Sequence, residues 1–424
     1  MSRDPGLPAL PQEICDNIID SAWKVDPSDT LRTCSLVSRT WLHTSRKHRF
    51  SCISLRPYID LAAFEAIITS PLLDSTDIPH LVRDLCLDWT PYEGSWTPYE
   101  GPSSIASSFE PTTLNARLPD MFKQFTSVET LRLDHLVWSH VDAAAVIELA
   151  SQAAHLHLSN LSFTYGDDMV HLLSSSPRRS SLHMQEYLSQ GQMFRTSPKM
   201  IPVHREVHIG RLVTDLDLFT TVHLVMREAY VTRCAFGMTI DRVDISGDGQ
   251  VLAGITSGGY WHDLIQRKQT WLKMWLDFLK LGARSRGLDE GDLPTLDIKS
   301  LRIPASTVLR RITFGSMYLN TLLDLRIFLA RRMHFILDGL DPKDAIPKRC
   351  ADLDHALVRL VTNGPRIDII FDAHCPAERL ADWIGAISAC FPALVARGTR
   401  VGIVCTSGED MDGERPPVAQ HWWS

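Results

Sequence analysis

The chain has 424 residues, 44% of them hydrophobic and 22% charged, a globular composition that excludes whole-chain disorder and fibrous low-complexity folds. At roughly 150 residues per domain this length admits two or three units, or one small module on a repeat array, and it suffices for a core without disulfide staples. Lys and Arg total 43 against 50 Asp and Glu, a net charge of −7; such a surface holds a phosphate backbone poorly, so no nucleic-acid partner is expected.

The opening residues MSRDPGLPALPQE lack the basic-then-apolar pattern of a secretory signal. No apolar run reaches the roughly 18 residues that a membrane span requires. The nine cysteines are scattered, odd in number and without CxxC spacing, which reads as reduced thiols. A soluble protein of the cytoplasm or nucleus, not secreted, is expected.

Residues 7–50 predict a short helical module. Pro11 suits the first turn of a helix, where its missing N–H costs nothing, and Glu13 sits against the positive end of the helix dipole. Ile14, Ile18 and Ala22 follow at i, i+4, i+8, with Ile19 and Trp23 alongside. Val25-Asp26-Pro27 interrupts the pattern. Ser28 can cap a second helix carrying Leu31, Cys34, Ser35 and Ser38 on one face. A third carries Val37, Trp41 and Leu42, then Arg46, Lys47 and Arg49 near its C-terminal end, where cations are favoured. So short a segment cannot bury all these apolar groups alone; its own chain or a partner must cover them.

Leu10-Pro11-x-Glu13-Ile14-x3-Ile18, followed by Leu31-x2-Cys34-Ser35-Leu36-Val37-Ser38-Arg39-x-Trp41, resembles an F-box of the type abundant in mushroom-forming (basidiomycete) fungi. The resemblance covers about the first 50 residues. It implies docking on the Skp-type adaptor of an SCF (Skp–cullin–F-box) ubiquitin ligase and, through that adaptor, on a cullin. Carried over by motif position, Leu10, Pro11, Ile14 and Ile18 would enter the adaptor groove, while Leu36, Val37 and Trp41 would finish or brace the interface. This is helix-in-groove recognition by apolar anchors.

From residue 51 to 405, short Leu/Ile/Val strand signatures alternate with helical stretches. Val128-x2-Leu131-x-Leu133-x2-Leu136 and Ala153-x2-Leu156-x-Leu158-x2-Leu161 align without a gap, 25 residues apart. Leu182/Met184 and Val207/Ile209 follow at intervals of 26 and 25, with weaker echoes at Leu85/Leu87, Leu216/Leu218, Val243/Ile245, Leu301/Ile303 and Ile367/Ile369. Helical pieces over 142–150 and 167–173 separate the strong strands. One strand and one helix per such interval is leucine-rich-repeat arithmetic, in which each unit buries its inward pair by stacking on a neighbour. Leu136 and Leu161 stand where such repeats place an Asn, and intervals of 46 residues (Leu85 to Leu131) and 58 (Val243 to Leu301) imply insertions. An irregular solenoid is therefore expected. Its first insertion is the loop 89–111, where WTPYEGS is followed at once by WTPYEGP, a duplication suited to a tolerant surface loop.

Further along, Asp244-Ile-Ser-Gly-Asp-Gly reads as a hairpin turn, since one such copy cannot make a propeller. Thr270–Leu281 reads as a core-packing helix, and Leu322–Leu337 as an amphipathic scaffold helix. Strand, helix and strand over 366–371, 378–391 and 399–405 read as a closing cap. The remaining 406–424 read as a flexible tail ending in His421-Trp-Trp-Ser, whose aromatics could dock back on the array or meet a peptide. No Walker loop, HExxH, GxSxG or paired Cys/His set occurs. Asp372-Ala-His374-Cys375 lacks any orienting partner motif, and His155-Leu-His157 lacks further metal ligands. No catalytic residue, metal or cofactor is expected.

The sequence thus predicts a mixed α+β or α/β chain: a three-helix F-box-like module (7–50), an irregular leucine-rich-repeat-like array (51–405) and a tail. The expected function is a non-enzymatic substrate-recognition adaptor of an SCF-type ubiquitin ligase, the alternative being a protein-binding scaffold outside ubiquitination. Because outward side chains alternate with the buried Leu pairs, Arg132, Asp134, His155 and His157 are expected on one solvent-facing surface that reads a target protein.

Overall fold

The computed structural model describes residues 11–25, 30, 33–34, 37, 39–56, 60–70, 78–89, 119–138, 141–161, 163, 166–185, 206–214, 237–245, 295–304, 331–337, 340–344, 347–363, 367–398, 400–406 and 417–423. The chain is mixed α/β, with strands that are almost all parallel. It divides into two compact units, one drawn from residues 1–176 with 186–195, the other from 177–185 with 196–424.

The first unit opens with α1 (Gln12–Val25), started by the Pro11 carbonyl, which accepts from the N–H groups of Ile14 and Cys15 at 3.0 and 3.2 Å. Glu13 in its first turn and Lys24 in its last complement the helix dipole. Helix α2 (Arg39–Ser51) packs along it. Thr44 Oγ1 donates to Asp16 at 2.5 Å, and His48 Nε2 lies 2.5 Å from the Asp20 carboxylate. Trp23 stacks on the His48 ring with centroids 5.7 Å apart.

Helix α2 runs directly into β1 (Cys52–Leu55). There follow α3 (Leu61–Ile68), α4 (Ile78–Leu81), β2 (Asp84–Asp88), β3 (Thr130–Asp134), α5 (Ala143–Gln152), β4 (His155–Ser159) and α6 (Gly166–Ser174). Strands β1 to β4 pair in chain order, all parallel. The register lines up Ile53, Leu85, Leu131 and Leu156, then Leu55, Leu87, Leu133 and Leu158. Of these, the six Leu residues on β2 to β4 are at most 3% exposed. Period-two alternation makes this possible, since every second side chain points to the same face. Asp142 caps α5 by accepting from Ala144 and Ala145 at 3.0 and 3.2 Å. The chain leaves β3 and β4 through equivalent left-handed residues, His135 (φ 55°) and Asn160 (φ 51°), and each turn delivers a buried leucine, Leu136 and Leu161.

The second unit contains β5 (Arg178–Gln185), β6 (Glu206–Thr214), β7 (Gly237–Ile245), β8 (Thr295–Pro304), β9 (Arg332–Ile336), α7 (Pro347–Asn363), β10 (Asp368–His374), α8 (Leu380–Cys390), α9 (Pro392–Ala396), β11 (Val401–Thr406) and β12 (Pro417–Trp423). Strands β5 to β11 again pair in chain order and parallel, and β12 closes the edge antiparallel to β11. Leu182, Leu212, Val243, Leu301, Met333, Ile369 and Val401 form one continuous row, each at most 4% exposed. Phe371 joins Phe335 and Phe391 at centroid distances of 5.6 and 4.9 Å. The buried Asp354 of α7 accepts from the N–H groups of Ala393 and Leu394 at 2.9 and 2.8 Å, capping α9 from a distant segment.

Three sequence expectations need correction. The helix expected over 322–337 gives way, within its described part, to β9: Met333 and Phe335 alternate with Arg332, His334 and Ile336, and a short apolar run does not separate the two periods by itself. The tail expected over 406–424 holds β12, whose main chain pairs with β11 from Val401 to Thr406. Trp89, assigned to the insertion loop, is 4% exposed, and its backbone N–H donates to the Asp134 carbonyl at 2.9 Å. Asp244 and Ile245 end a parallel strand, while the rest of the expected hairpin, Leu216/Leu218, residues 90–111 and the helix over 270–281 lie outside the described residues.

Candidate functional site

Two surfaces bring the sequence-predicted site residues together, both in the first unit. On α1, the single stripe expected from Ile14, Ile18 and Ala22 splits into two faces. Ile19 is fully buried with Cys34, and Trp23 and Trp41 pack on that pair. On the other side Ile14 is 45% and Ile18 41% exposed; Val37, in a later segment, is 59% exposed. Pro11 is exposed as well. The helix is thus held from one side by Ile19 and from its polar flank by Asp16 and Asp20, leaving two isoleucines one turn apart in water. Trp41 braces this helix from behind; Leu10 and Leu36 lie outside the described residues.

The second surface is the outward side of β2 to β4. Parallel pairing sets Cys86 beside Arg132 and His157, Asp84 beside Thr130 and His155, and Asp88 beside Asp134 and Ser159. Arg132, Asp134, His155 and His157 therefore share one face. Arg132 Nη2 meets Asp84 at 3.1 Å, His135 Nδ1 meets Asp88 at 3.2 Å, and Asn160 Nδ2 reaches His135 Nε2 at 3.3 Å. Burial pushes the Cys86 thiol up to about 11, with Asp134 adding to the effect. The protonated thiol donates to Asp134 at 3.6 Å. At neutral pH this face is a mosaic of paired charges and imidazoles with no free nucleophile at Cys86.

The outward side of the second unit carries a denser charge network that the sequence did not reveal, because its members lie up to 70 residues apart. Asp244 bridges Arg211 and Arg242 at 2.6 and 2.7 Å. Asp372 accepts from Arg302 at 3.1 Å and from Thr406 Oγ1 at 3.2 Å. His334 is half-buried nearby, and its pKa falls to about 4 through burial and the charges of Arg302, Arg332 and Arg242. Burial opposes ionisation of Asp241, but hydrogen bonds from Lys299 and His208 outweigh it and hold that carboxyl below its ordinary range. Arg211–Asp244, His208–Asp241 and Lys299–Asp241 join neighbouring strands, Arg242–Asp244 lies within β7, and Arg302–Asp372 reaches from β8 past β9 to β10.

Among the described residues no group of three His, Cys, Asp or Glu side chains is placed to hold a metal. Asp372 accepts from Arg302 and Thr406, and Cys375 Sγ sits against Cys405 Sγ. No helix among the described residues is long and apolar enough to cross a membrane. No family model matches the chain, and no curated protein is significantly similar to it.

Proposed function

We propose that the chain is a substrate-recognition adaptor of an SCF-type ubiquitin ligase, with residues 7–50 as an F-box-like module that docks on a Skp-type adaptor and, through it, on a cullin. The observation that carries this reading is the two-faced α1. Ile19 anchors the helix internally, yet Ile14 and Ile18 stay 45% and 41% exposed one turn apart, with Val37 59% exposed. Apolar side chains at i and i+4 on a helix fixed from behind match what a hydrophobic groove takes from a helical ligand. Pro11 at the start of the helix fixes where that ligand begins.

In this reading the chain-ordered strands are an irregular leucine-rich-repeat-like array that holds a target protein. The row of inward leucines keeps the strands in register, and Arg132, Asp134, His155 and His157 lie on the face offered to the target. In this reading the chain makes and breaks no bond of the target; it raises the local concentration of the target at the recruited conjugating enzyme.

The test is co-purification of the full chain with a Skp-type adaptor and cullin, beside a variant carrying Ile14→Asp and Val37→Asp. The wild type is expected to elute as a stoichiometric complex. The variant should elute alone with an unchanged circular dichroism spectrum. Absence of a wild-type complex at micromolar concentration overturns the proposal.

A further inference from the structure

Cys375 and Cys405 face each other at the C-terminal ends of β10 and β11. Their sulfurs lie 3.2 Å apart, so closing to a disulfide bond of about 2.05 Å takes a movement of roughly 1 Å. Both backbones are fixed. Cys405 lies inside β11, opposite Ala373 of β10, and the Cys375 N–H donates to the Thr406 carbonyl at 3.2 Å. The two thiols differ in access: Cys405 is fully buried, whereas Cys375 is partly exposed. Burial, the Cys375 thiol and Asp372 push the Cys405 thiol up to about 12, so Cys405 is a poor first nucleophile.

The geometry points to a redox-responsive dithiol at Cys375 and Cys405, oxidised by a low-molecular-weight disulfide. Cys375 loses its proton to solvent and its thiolate attacks one sulfur of oxidised glutathione, which forms a mixed disulfide and expels one glutathione thiolate. Cys405 then loses its proton and attacks the Cys375 sulfur. The mixed bond breaks, the Cys375–Cys405 bond forms, and the second glutathione leaves as a thiolate. The protein gives up two protons and two electrons, and one oxidised glutathione becomes two reduced ones. The new bond closes a loop of about 30 residues that contains α8 and α9, and ties β10 to β11 beside the Asp372–Thr406 hydrogen bond.

A second close thiol pair serves as an internal comparison. Cys350 and Cys390 share a hydrogen bond, which together with burial and the mutual charge holds the Cys350 proton on. They are 1% and 2% exposed, so neither offers glutathione a first point of attack. They should stay reduced while the chain is folded.

The experiment incubates the full chain with oxidised glutathione under native conditions, followed by intact mass and peptide mapping. The expected product has lost two hydrogens, contains one peptide pair joined through Cys375 and Cys405, and reverts with dithiothreitol. Loop closure should raise the thermal midpoint of the second unit by roughly 5–10 °C. In Cys375→Ser the cross-link and the shift disappear. In Cys405→Ala a glutathione adduct should persist on Cys375, which tests the order of attack without removing the exposed thiol. A stable glutathione adduct on wild-type Cys375, a cross-link between other cysteines, or no reaction overturns the inference.

Discussion

Truncating the two faces of α1 should separate stability from recognition. Ile19 is fully buried against Cys34, Trp23 and Trp41, so Ile19→Ala loses its transfer free energy and leaves a cavity, together about 3 kcal/mol. Ile14 and Ile18 already have 45% and 41% of their surface in water, and solvent fills the space they vacate; each alanine should cost no more than about 1 kcal/mol. Binding reverses the ranking. If a groove buries the remaining surface of Ile14, Ile18 and Val37, truncating all three should cost about 3 kcal/mol of affinity, or about a hundredfold in Kd. Amide hydrogen exchange over 12–25 reads the stability half, where Ile19→Ala should accelerate exchange by about a hundredfold. Titration with a Skp-type adaptor reads the other half. Unchanged protection in Ile19→Ala, or a loss in Ile14→Ala/Ile18→Ala as large as in Ile19→Ala, refutes the two-faced reading of the helix.

Two further outcomes follow from the second unit. A Cβ on Gly402 would stand 2.6 Å from the Trp422 indole, so Gly402→Ala should lift β12 from β11; exchange over 417–423 is expected to rise toward that of free peptide while residues 368–374 stay protected. His334 has its pKa lowered from 6.5 to about 4, so between those values the unfolded chain binds the proton that the folded chain excludes. Stability from this group is complete above pH 6.5 and falls as pH drops toward 4, at about 1 kcal/mol per pH unit. Urea titrations at pH 7 and pH 5 should therefore show a smaller acid loss in His334→Gln than in the wild type, and equal losses would refute the assignment.

Much of the strand framework was legible because parallel pairing in chain order repeats one local pattern. Leu131/Leu133 and Leu156/Leu158 are adjacent in space for the same reason that they align in sequence: each pair fills the same inward positions of neighbouring strands. The helical piece expected over 142–150 corresponds to α5, which Asp142 caps. Strand β9 was missed because Met333 and Phe335 fit either period over so short a run, and β12 because Val418, Gln420 and Trp422 are not buried and an edge strand is held mainly by its main chain. On α1 the isoleucine spacing was visible, but which side faced inward was not. That choice depends on Cys34, Trp41, Thr44 and His48, supplied by other segments. The Cys375–Cys405 contact left no sequence trace, since it arises from the register of β10 on β11.

The division of labour within each strand explains why an inward row can stay uniform while the outward row varies. Along β5 to β11 the inward positions are Leu, Leu, Val, Leu, Met, Ile and Val, where any change of volume is felt by two neighbouring strands. One position further on, the outward row reads His183, Val213, Asp244, Arg302, His334, Ile370 and Gly402, with no common chemistry. Two members bind the row together through carboxylates, Asp244 to Arg211 and Arg242, and Arg302 to Asp372. Removing one partner of such a half-buried pair leaves the other charge uncompensated, whereas an exposed position such as Arg132, 49% exposed beside Asp84, loses little. Substitutions are therefore tolerated best at exposed outward positions such as Arg132, and the interlocked charges of β6 to β10 are suited to holding shape.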